Sequence, residues 1–155
     1  MPINISITSK GFEHIHNVLN SLASKIENPD EKCMQRLGAV VLDDIDKRFM
    51  TRGYGTWAPL SPRTIKRKGH DFVLIDTGIM FNSAQITKLT RGMVSVGVLQ
   101  GGKNHNPDIP EYHQEGTKRM PQRKIIDVTP KLKEALVQET AHWVADMVKA
   151  AQKEV

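Results

Sequence analysis

The apolar residues of this chain follow a helical period at its two ends, and glycine and proline break that period in the middle. Over residues 12–26 and 34–49, apolar residues recur every three or four positions, which predicts two consecutive amphipathic helices. The same spacing over residues 132–151 predicts a long C-terminal helix that begins at Thr129. Residues 53–76 carry closely spaced glycines and prolines, so a long regular element is excluded there.

The β structure predicted for the chain is small. Residues 3–7 alternate isoleucine with polar residues, which indicates a strand with one buried face. Residues 85–89 and 93–98 have strand character and are joined at Arg91 and Gly92, so they predict an antiparallel hairpin. Residues 125–128 are rich in β-branched side chains and predict a last short strand.

Three short segments connect these elements. Ser61 and Pro62 suit the cap and the first position of a short helix that reaches Lys68. Thr77 suits the cap of a further helical turn. Residues 101–110 are rich in glycine, asparagine and proline, so we expect an exposed loop there.

The composition is that of an ordinary globular protein. The 155 residues are 39% hydrophobic and 25% charged, which predicts one folded domain over residues 1–155. A single cysteine, Cys33, excludes an internal disulfide, and its apolar neighbours predict that it is buried. The sequence contains no recognisable membrane span or signal peptide, so we expect the chain in the cytoplasm.

Charge is distributed unevenly along the sequence. The net charge is +5 and the isoelectric point about 9.4, which is compatible with nucleic acid, an anionic membrane or an acidic protein surface as partner. A first basic group comprises Arg63, Lys66, Arg67 and Lys68, and a second comprises Lys118, Arg119, Arg123 and Lys124. An acidic group comprises Asp43, Asp44 and Asp46.

The histidines and candidate nucleophiles form no recognisable catalytic pattern. His14 and His16 are two positions apart on a predicted helix, so their side chains point about 200° apart and cannot share a metal ion. His105 lies between two asparagines, as in some nucleases, but only a proline-rich loop follows it. Cys33 has no histidine beside it, and no glycine-rich phosphate loop is present. We predict no catalytic residue, metal or cofactor; a small hydrolase using His105 or His113 is a minor alternative.

The first basic group allows two interpretations. With Tyr54 and Trp57 beside it, the group has the composition of a surface that binds a phosphate backbone and stacks a base. Runs of charge are more commonly a solvated turn, and Trp57 would then lie in the core. The residues alone leave both interpretations open.

Four segments between residues 57 and 123 have distinctive residue patterns. Residues 57–69 read WAPLSPRTIKRKG, residues 74–83 read LIDTGIMFNS, residues 112–117 read YHQEGT and residues 120–123 read MPQR. These four motif segments resemble the virion-morphogenesis, or tail-completion, family of tailed bacteriophages, typified by tail protein G of phage Mu. The sequence departs from the family pattern at Met80, Glu115, Lys124 and Ile125.

The resemblance implies an α+β fold in which a small antiparallel sheet is packed by N-terminal and C-terminal helices, with long projecting loops. It also implies a structural protein, not an enzyme, that acts with other tail or connector proteins in tail completion or head–tail joining. Its place would be the cytoplasm of an infected or lysogenic bacterium and then the tail or neck of the virion. The motif residues expected to shape this architecture are Trp57, Leu60, Thr77, Gly78, Ser83, Tyr112, Gly116 and Pro121.

The charged groups predict how such subunits would meet. Tail components commonly assemble as rings, in which each subunit presents two different faces. We predict that the basic groups of one subunit face the acidic group of its neighbour, while apolar contacts supply most of the affinity. A chain that is monomeric until it joins its partners is also compatible with the sequence. The alternative function is a basic nucleic-acid-binding module that contacts DNA at the connector.

Overall fold

A computed structural model of the chain describes residues 9–153, which form six helices and one two-stranded sheet. The strand predicted over residues 3–7 lies outside the described residues. In chain order the elements are α1 (Ser9–Glu27), α2 (Glu31–Thr51), α3 (Pro62–Lys68), α4 (Ile79–Asn82), β1 (Ala84–Thr90), β2 (Met93–Val98), α5 (Asp108–Glu115) and α6 (Pro130–Gln152). Within residues 9–153, no helix combines the length and the apolar character needed to cross a membrane.

The three long helices predicted from the apolar period are confirmed as α1, α2 and α6. α2 is capped by Asp30, whose carboxylate accepts a hydrogen bond from the Cys33 N–H at 2.8 Å. α6 is capped by Thr129, whose hydroxyl accepts from the Leu132 N–H at 3.2 Å, and Pro130 lies in its first turn. Local capping chemistry therefore determines where both helices begin.

The hairpin of β1 and β2 packs on α2. The strands are antiparallel and pair Ala84 with Val98 at their open end. Gly38 of α2 lies against this hairpin: a Cβ added there would be 2.8 Å from the Ile86 side chain and 2.9 Å from the Val94 side chain. Because Gly38 has no side chain, helix and sheet approach closely, and the fold is α+β as predicted.

Two apolar clusters hold the elements together, and α2 contributes to both. The larger cluster contains the buried residues Ile45, Phe49, Trp57, Val73, Met80 and Ile125. Its rings meet edge to face, with the Phe49 centroid 5.7 Å from that of Trp57 and 5.4 Å from that of Phe81. The smaller cluster contains Cys33, Met34 and Trp143 and joins α2 to α6. The predicted burial of Cys33 is confirmed.

The prediction of a strand over residues 125–128 is wrong. The Gln114 side chain occupies the hydrogen-bonding groups that a neighbouring strand would use. Its Oε1 accepts from the Ile125 N–H at 2.8 Å and from the Ile126 N–H at 3.0 Å, and its Nε2 donates to the Ile126 carbonyl at 2.6 Å. One side chain therefore replaces a sheet partner, and Ile125 enters the core from an irregular segment.

The prediction of an exposed loop over residues 101–110 is correct only in part. Gly101 and Asn106 exchange two backbone hydrogen bonds of 2.9 Å, which close a tight turn with an exposed tip. Gly101 is buried, and α5 begins at Asp108, so that Pro110 is buried within a helix. The polar composition correctly indicates the tip of the turn but not the helix that follows.

Thr77 does not occupy the cap position of α4, in contrast to the prediction. Gly78 takes that position with a left-handed φ of 79°, and no side chain caps the helix. This conformation leaves Thr77 one residue outside the cap, with its hydroxyl 3.5 Å from the Ile79 N–H. The start of α4 is therefore determined by the backbone of Gly78.

Candidate functional site

α3 carries the first basic group and is fixed at both ends. The Ser61 hydroxyl accepts a hydrogen bond from the Thr64 N–H at 3.2 Å, and Pro62 lies in the first turn, as predicted. Gly69 ends the helix, and its N–H donates to the Ile65 carbonyl at 2.8 Å. The cluster of cations near its C-terminus also suits the helix dipole.

The cations of α3 differ in their surroundings. Arg63, Lys66 and Arg67 are exposed, and none of them forms an ion pair with the part of the chain that the structure describes. Lys68 is half-buried, and its Nζ donates to the Phe72 carbonyl at 2.7 Å. Three of the four side chains are thus available to a partner, whereas Lys68 also holds its own loop.

A tight turn after α5 carries Lys118 and Arg119 of the second basic group. The Thr117 N–H donates to the Met120 carbonyl at 2.9 Å, and the Met120 N–H returns a bond of 3.2 Å. The Thr117 hydroxyl also accepts from the Arg119 N–H at 3.2 Å. These bonds fix the turn and expose Lys118 and Arg119 at its tip.

Arg123 was predicted to belong to an exposed basic surface, but its side chain is buried, with 6% of the residue exposed. Its Nε donates to the Ala58 carbonyl at 3.0 Å, and one Nη donates to the Pro59 carbonyl at 3.3 Å. Burial lowers the pKa of Arg123. The side chain therefore ties the fourth motif segment to the first.

Trp57 makes a second tie between the same two regions. Its Nε1 donates to the Lys124 carbonyl at 3.1 Å, and the residue is 6% exposed. The ring packs against Phe49 in the larger apolar cluster. Of the two interpretations of Trp57, the structure supports the core residue, and in this position the ring cannot stack a base.

The turn that brings Arg123 to its place depends on Gly116. This residue has φ 77° and ψ 168°, and an added Cβ would lie 2.9 Å from the backbone nitrogen of Gln122. The returning chain passes through the exposed Pro121, and the Arg123 N–H donates to the His113 carbonyl at 2.8 Å. The turn at Gly116 therefore positions Arg123.

The remaining motif residues have separate structural positions. Ser83 is buried, and its hydroxyl lies 2.9 Å from the carbonyl oxygens of Met80 and Gln100. Leu60 is half-buried against the larger apolar cluster. Tyr112 is 46% exposed, so its ring contributes little to the core.

The structure divides the acidic group of α2. Asp44 was predicted to face a neighbouring subunit, but it is 7% exposed and has partners in its own chain. Its carboxylate accepts from the Arg48 Nε at 2.7 Å and from the Tyr54 hydroxyl at 2.8 Å. Asp43 and Asp46 are exposed, so they alone remain available for contacts between subunits.

Tyr54 completes this buried polar cluster. Its ring lies beneath two cations, with the Arg48 Cζ 5.4 Å and the Lys131 Nζ 4.8 Å from the ring centroid. Burial, followed by the hydrogen bond to Asp44 and the charge of that carboxylate, raises the pKa of Tyr54 to about 12. The cluster joins α2 to the start of α6.

The four motif segments surround one cleft of about 590 Å³. Its sides are contributed by residues 59–68, 74–80 and 113–123, together with Gly102 and Ile109. The charged residues and the histidine that line it are Arg67, Lys68, Asp76, His113, Arg119 and Arg123. The apolar residues that line it are Pro59, Leu60, Leu74, Ile79, Met80, Ile109, Met120 and Pro121. Segments that are distant in sequence therefore form one surface.

The electrostatic character of the cleft is positive. Asp76 is the one acid in its lining, and within the described residues it forms no ion pair with the cations around it. Burial and the charges of Arg123 and Lys68 lower the pKa of His113, because both disfavour the protonated imidazole. Burial is also the largest cause of the lowered pKa of Lys68.

His105 and His113, the two histidines considered as catalytic candidates, have different surroundings. His105 is exposed, with its Nδ1 3.0 Å from Oε1 of Gln100, whereas His113 lines the cleft. The Nδ1 atom of His113 is buried without a hydrogen-bond partner among the described residues. Over residues 9–153, no three or more histidine, cysteine, aspartate or glutamate side chains are grouped to hold a metal ion.

Gln114 is the structural residue that sequence reasoning missed. It lies within the third motif segment, where it was given no role, yet it makes three hydrogen bonds to the backbone of Ile125 and Ile126. A glutamine eleven positions before an apolar segment carries no local signal of such a contact. Its role depends on the turn at Gly116, which folds the two segments together.

Comparisons with known proteins show no family for this chain. No protein-family model matches the chain, and searches of curated proteins and of solved structures give no match either. The likeness to the virion-morphogenesis family therefore rests on the order of the four motif segments in the sequence.

Proposed function

We propose that this chain is a structural protein of a tailed bacteriophage or prophage that acts in tail completion or head–tail joining at the tail terminus. One observation carries the proposal: the four motif segments, which are separate in the sequence, surround a single cleft. A hydrogen bond from Arg123 ties the last of these segments to the first, and one from Trp57 ties the first to Lys124, which directly follows the last. Such a shared surface gives a physical reason for the segments to occur together.

The character of this surface suits assembly with other tail or connector proteins. Its exposed cations lie on short turns and on α3, beside apolar side chains such as Leu60 and Met120. In protein interfaces, charges of this kind mainly set orientation and association rate, while apolar contacts supply most of the affinity. Loops held by a rigid scaffold are a common location for binding residues.

The assembled form in this proposal is a ring with heterologous contacts between subunits. One face presents Arg63, Lys66 and Arg67, and the other presents Asp43 and Asp46, all of which are exposed. Asp43 pairs with Lys47 of its own helix, but such an exposed pair is worth only about 0.3–0.5 kcal/mol and is easily exchanged.

Charge reversal tests the ring. Replacing Arg63 and Arg67 with glutamate should reduce assembly in sedimentation velocity experiments, because like charges would then meet at the contact. A second reversal, Asp43→Lys with Asp46→Lys, should restore it. An unchanged sedimentation profile in every variant would contradict the pairing.

The exposed cations of α3 also support the alternative, a nucleic-acid-binding module at the connector. Because Trp57 is buried, such binding would rely on phosphate contacts and not on stacking by this ring. The alternative requires duplex DNA binding that weakens steeply with salt and that Lys66→Ala reduces. Absence of both effects would leave assembly as the better proposal.

Deletion of the gene from the phage or prophage that encodes the chain tests the proposed function. Electron micrographs should then show abnormal particles. Tail-less heads, detached tails and overlong tails would each indicate a different step of assembly. Normal, infectious virions in normal numbers would contradict the proposal.

A further inference from the structure

The cations that line the cleft form no close ion pair within the described residues, and Asp76 is the one acid among the lining residues. Elsewhere in residues 9–153, Arg36, Arg48 and Arg52 each pair with a carboxylate. The four cations of the cleft form no such pair in the same part of the chain, although two of them, Lys68 and Arg123, are partly or fully buried. Asp76 offsets only part of this positive charge, and the excess in a recess is unfavourable for the chain alone, so that a bound anion would relieve it.

Two buried groups in the cleft have hydrogen-bonding capacity to spare. Arg123 uses its Nε and one Nη for the carbonyls of Ala58 and Pro59, and its other Nη has no acceptor within the described residues. His113 has a buried Nδ1 without a partner in the same part of the chain. Both residues line the cleft. Groups desolvated in advance form stronger charge-assisted contacts than exposed ones.

The apolar part of the cleft restricts the kind of anion. Large side chains, including Leu60, Met80, Ile109 and Met120, line it next to the cations. A nucleic-acid backbone offers no apolar group to cover them, and Trp57 is not placed to stack a base. A polypeptide in which an acidic residue lies beside a large apolar residue supplies both an anion for the cations and an apolar side chain for the apolar lining.

We propose that the cleft binds a segment of a partner polypeptide in which a carboxylate side chain lies next to a large apolar side chain. The carboxylate pairs with Arg119 and with the free part of the Arg123 guanidinium, and the apolar side chain packs against Ile109 and Met120, which are half-buried. That the partner is a tail or connector component rests on the proposed function, whereas the binding chemistry does not.

The test uses the complete chain, isotope-labelled for NMR, and three blocked peptides. The first peptide, acetyl-Gly-Leu-Glu-Leu-Gly-amide, carries both a carboxylate and large apolar side chains. The second peptide has glutamine in place of glutamate, and the third has alanine in place of both leucines. The first peptide should bind at least about tenfold more tightly than either of the others, with shifts centred on Gly102, His113 and Met120. Its carboxylate should also raise the pKa of His113, because it offsets the charges of Arg123 and Lys68.

Two variants give the test a matched control. Arg119 is exposed and holds no core contact, so Arg119→Gln should fold normally and weaken the first peptide about tenfold. Lys88→Gln removes an exposed lysine of β1 that does not line the cleft, and it should leave binding unchanged. Equal affinity for the glutamate and glutamine peptides, or equal effects of the two variants, would overturn the proposal.

Two further probes distinguish recognition of a carboxylate from recognition of a phosphate. Inorganic phosphate or a short DNA duplex that shifts the same residues more strongly than the peptide would overturn the proposal in favour of phosphate recognition. Gene deletion distinguishes the two proposals: normal virions with intact peptide binding would contradict only the phage function. Defective virions without peptide binding would contradict only the role assigned to the cleft.

Discussion

The Arg123 guanidinium donates a hydrogen bond to the Ala58 carbonyl at 3.0 Å across 65 positions of sequence. This bond joins the first motif segment to the last. Because the guanidinium is buried, its loss would leave two backbone carbonyls without their donor. The first and fourth motif segments are thus held together by a charged side chain that is buried in the interior.

Replacing Arg123 with alanine should lower the free energy of unfolding by about 2–3 kcal/mol, as expected for buried hydrogen bonds to a charged group. Urea denaturation of the variant provides the measurement. Arg119→Ala is the matched control, since Arg119 is exposed, and its effect should stay within about 0.5 kcal/mol. Equal effects of the two substitutions would show that the ties to Ala58 and Pro59 contribute nothing.

Gly116→Ala should be more harmful than Gly69→Ala. Both glycines have positive φ, but a Cβ at Gly69 would meet nothing within 4 Å, whereas one at Gly116 would lie 2.9 Å from the Gln122 nitrogen. We expect a loss of about 1 kcal/mol at Gly69 from backbone strain and at least about 2 kcal/mol at Gly116. Thermal denaturation of both variants would reveal the order, and the reverse order would contradict this reading of the turn.

Gln114→Ala should destabilise the segment that follows the fourth motif segment. The substitution leaves two backbone N–H groups and one carbonyl without partners, at a cost of about 1–3 kcal/mol. Hydrogen exchange at the Ile125 and Ile126 amides should accelerate by about tenfold or more. Gln138→Ala, on the exposed surface of α6, should change neither quantity. Unaltered exchange at both amides in the Gln114 variant would refute the role given to this side chain.

Tyr54 should make folding stability sensitive to alkaline pH. Its pKa is about 12 in the folded chain against an ordinary 10.0, so the folded state binds the phenolic proton more tightly than the unfolded state. The resulting stabilisation is complete below pH 10 and is lost as the pH rises from 10 to about 12. Tyr54→Phe should remove this loss, and Tyr112→Phe should retain it. Parallel pH profiles of unfolding free energy for the two variants would contradict the assignment.

Much of the fold follows from local signals in the sequence. The apolar period fixes α2 and α6, and the side chains of Asp30 and Thr129 account for their first residues. The hairpin follows from strand character interrupted at Arg91 and Gly92. These features depend on residues close in sequence, which is why they could be predicted.

The site was less predictable, because burial of a charge depends on partners that are distant in sequence. Arg119 and Arg123 are both arginines, but Arg119 is exposed whereas Arg123 is buried in contact with the distant Ala58 and Pro59. The ion pair of Asp44, in contrast, has a local signal in the sequence. Asp44 lies four positions before Arg48, a spacing at which opposite charges meet on a helix.

In vitro complementation tests the central claim most directly. Purified chain would be added in increasing amounts to an extract of cells in which the phage lacks its gene, and the infectious titre would be counted. A structural component is consumed as particles form, so the titre should rise in proportion to the chain added and stop rising with time. A titre that keeps rising at a trace amount of chain, or that does not respond to it, would contradict a structural role in the virion.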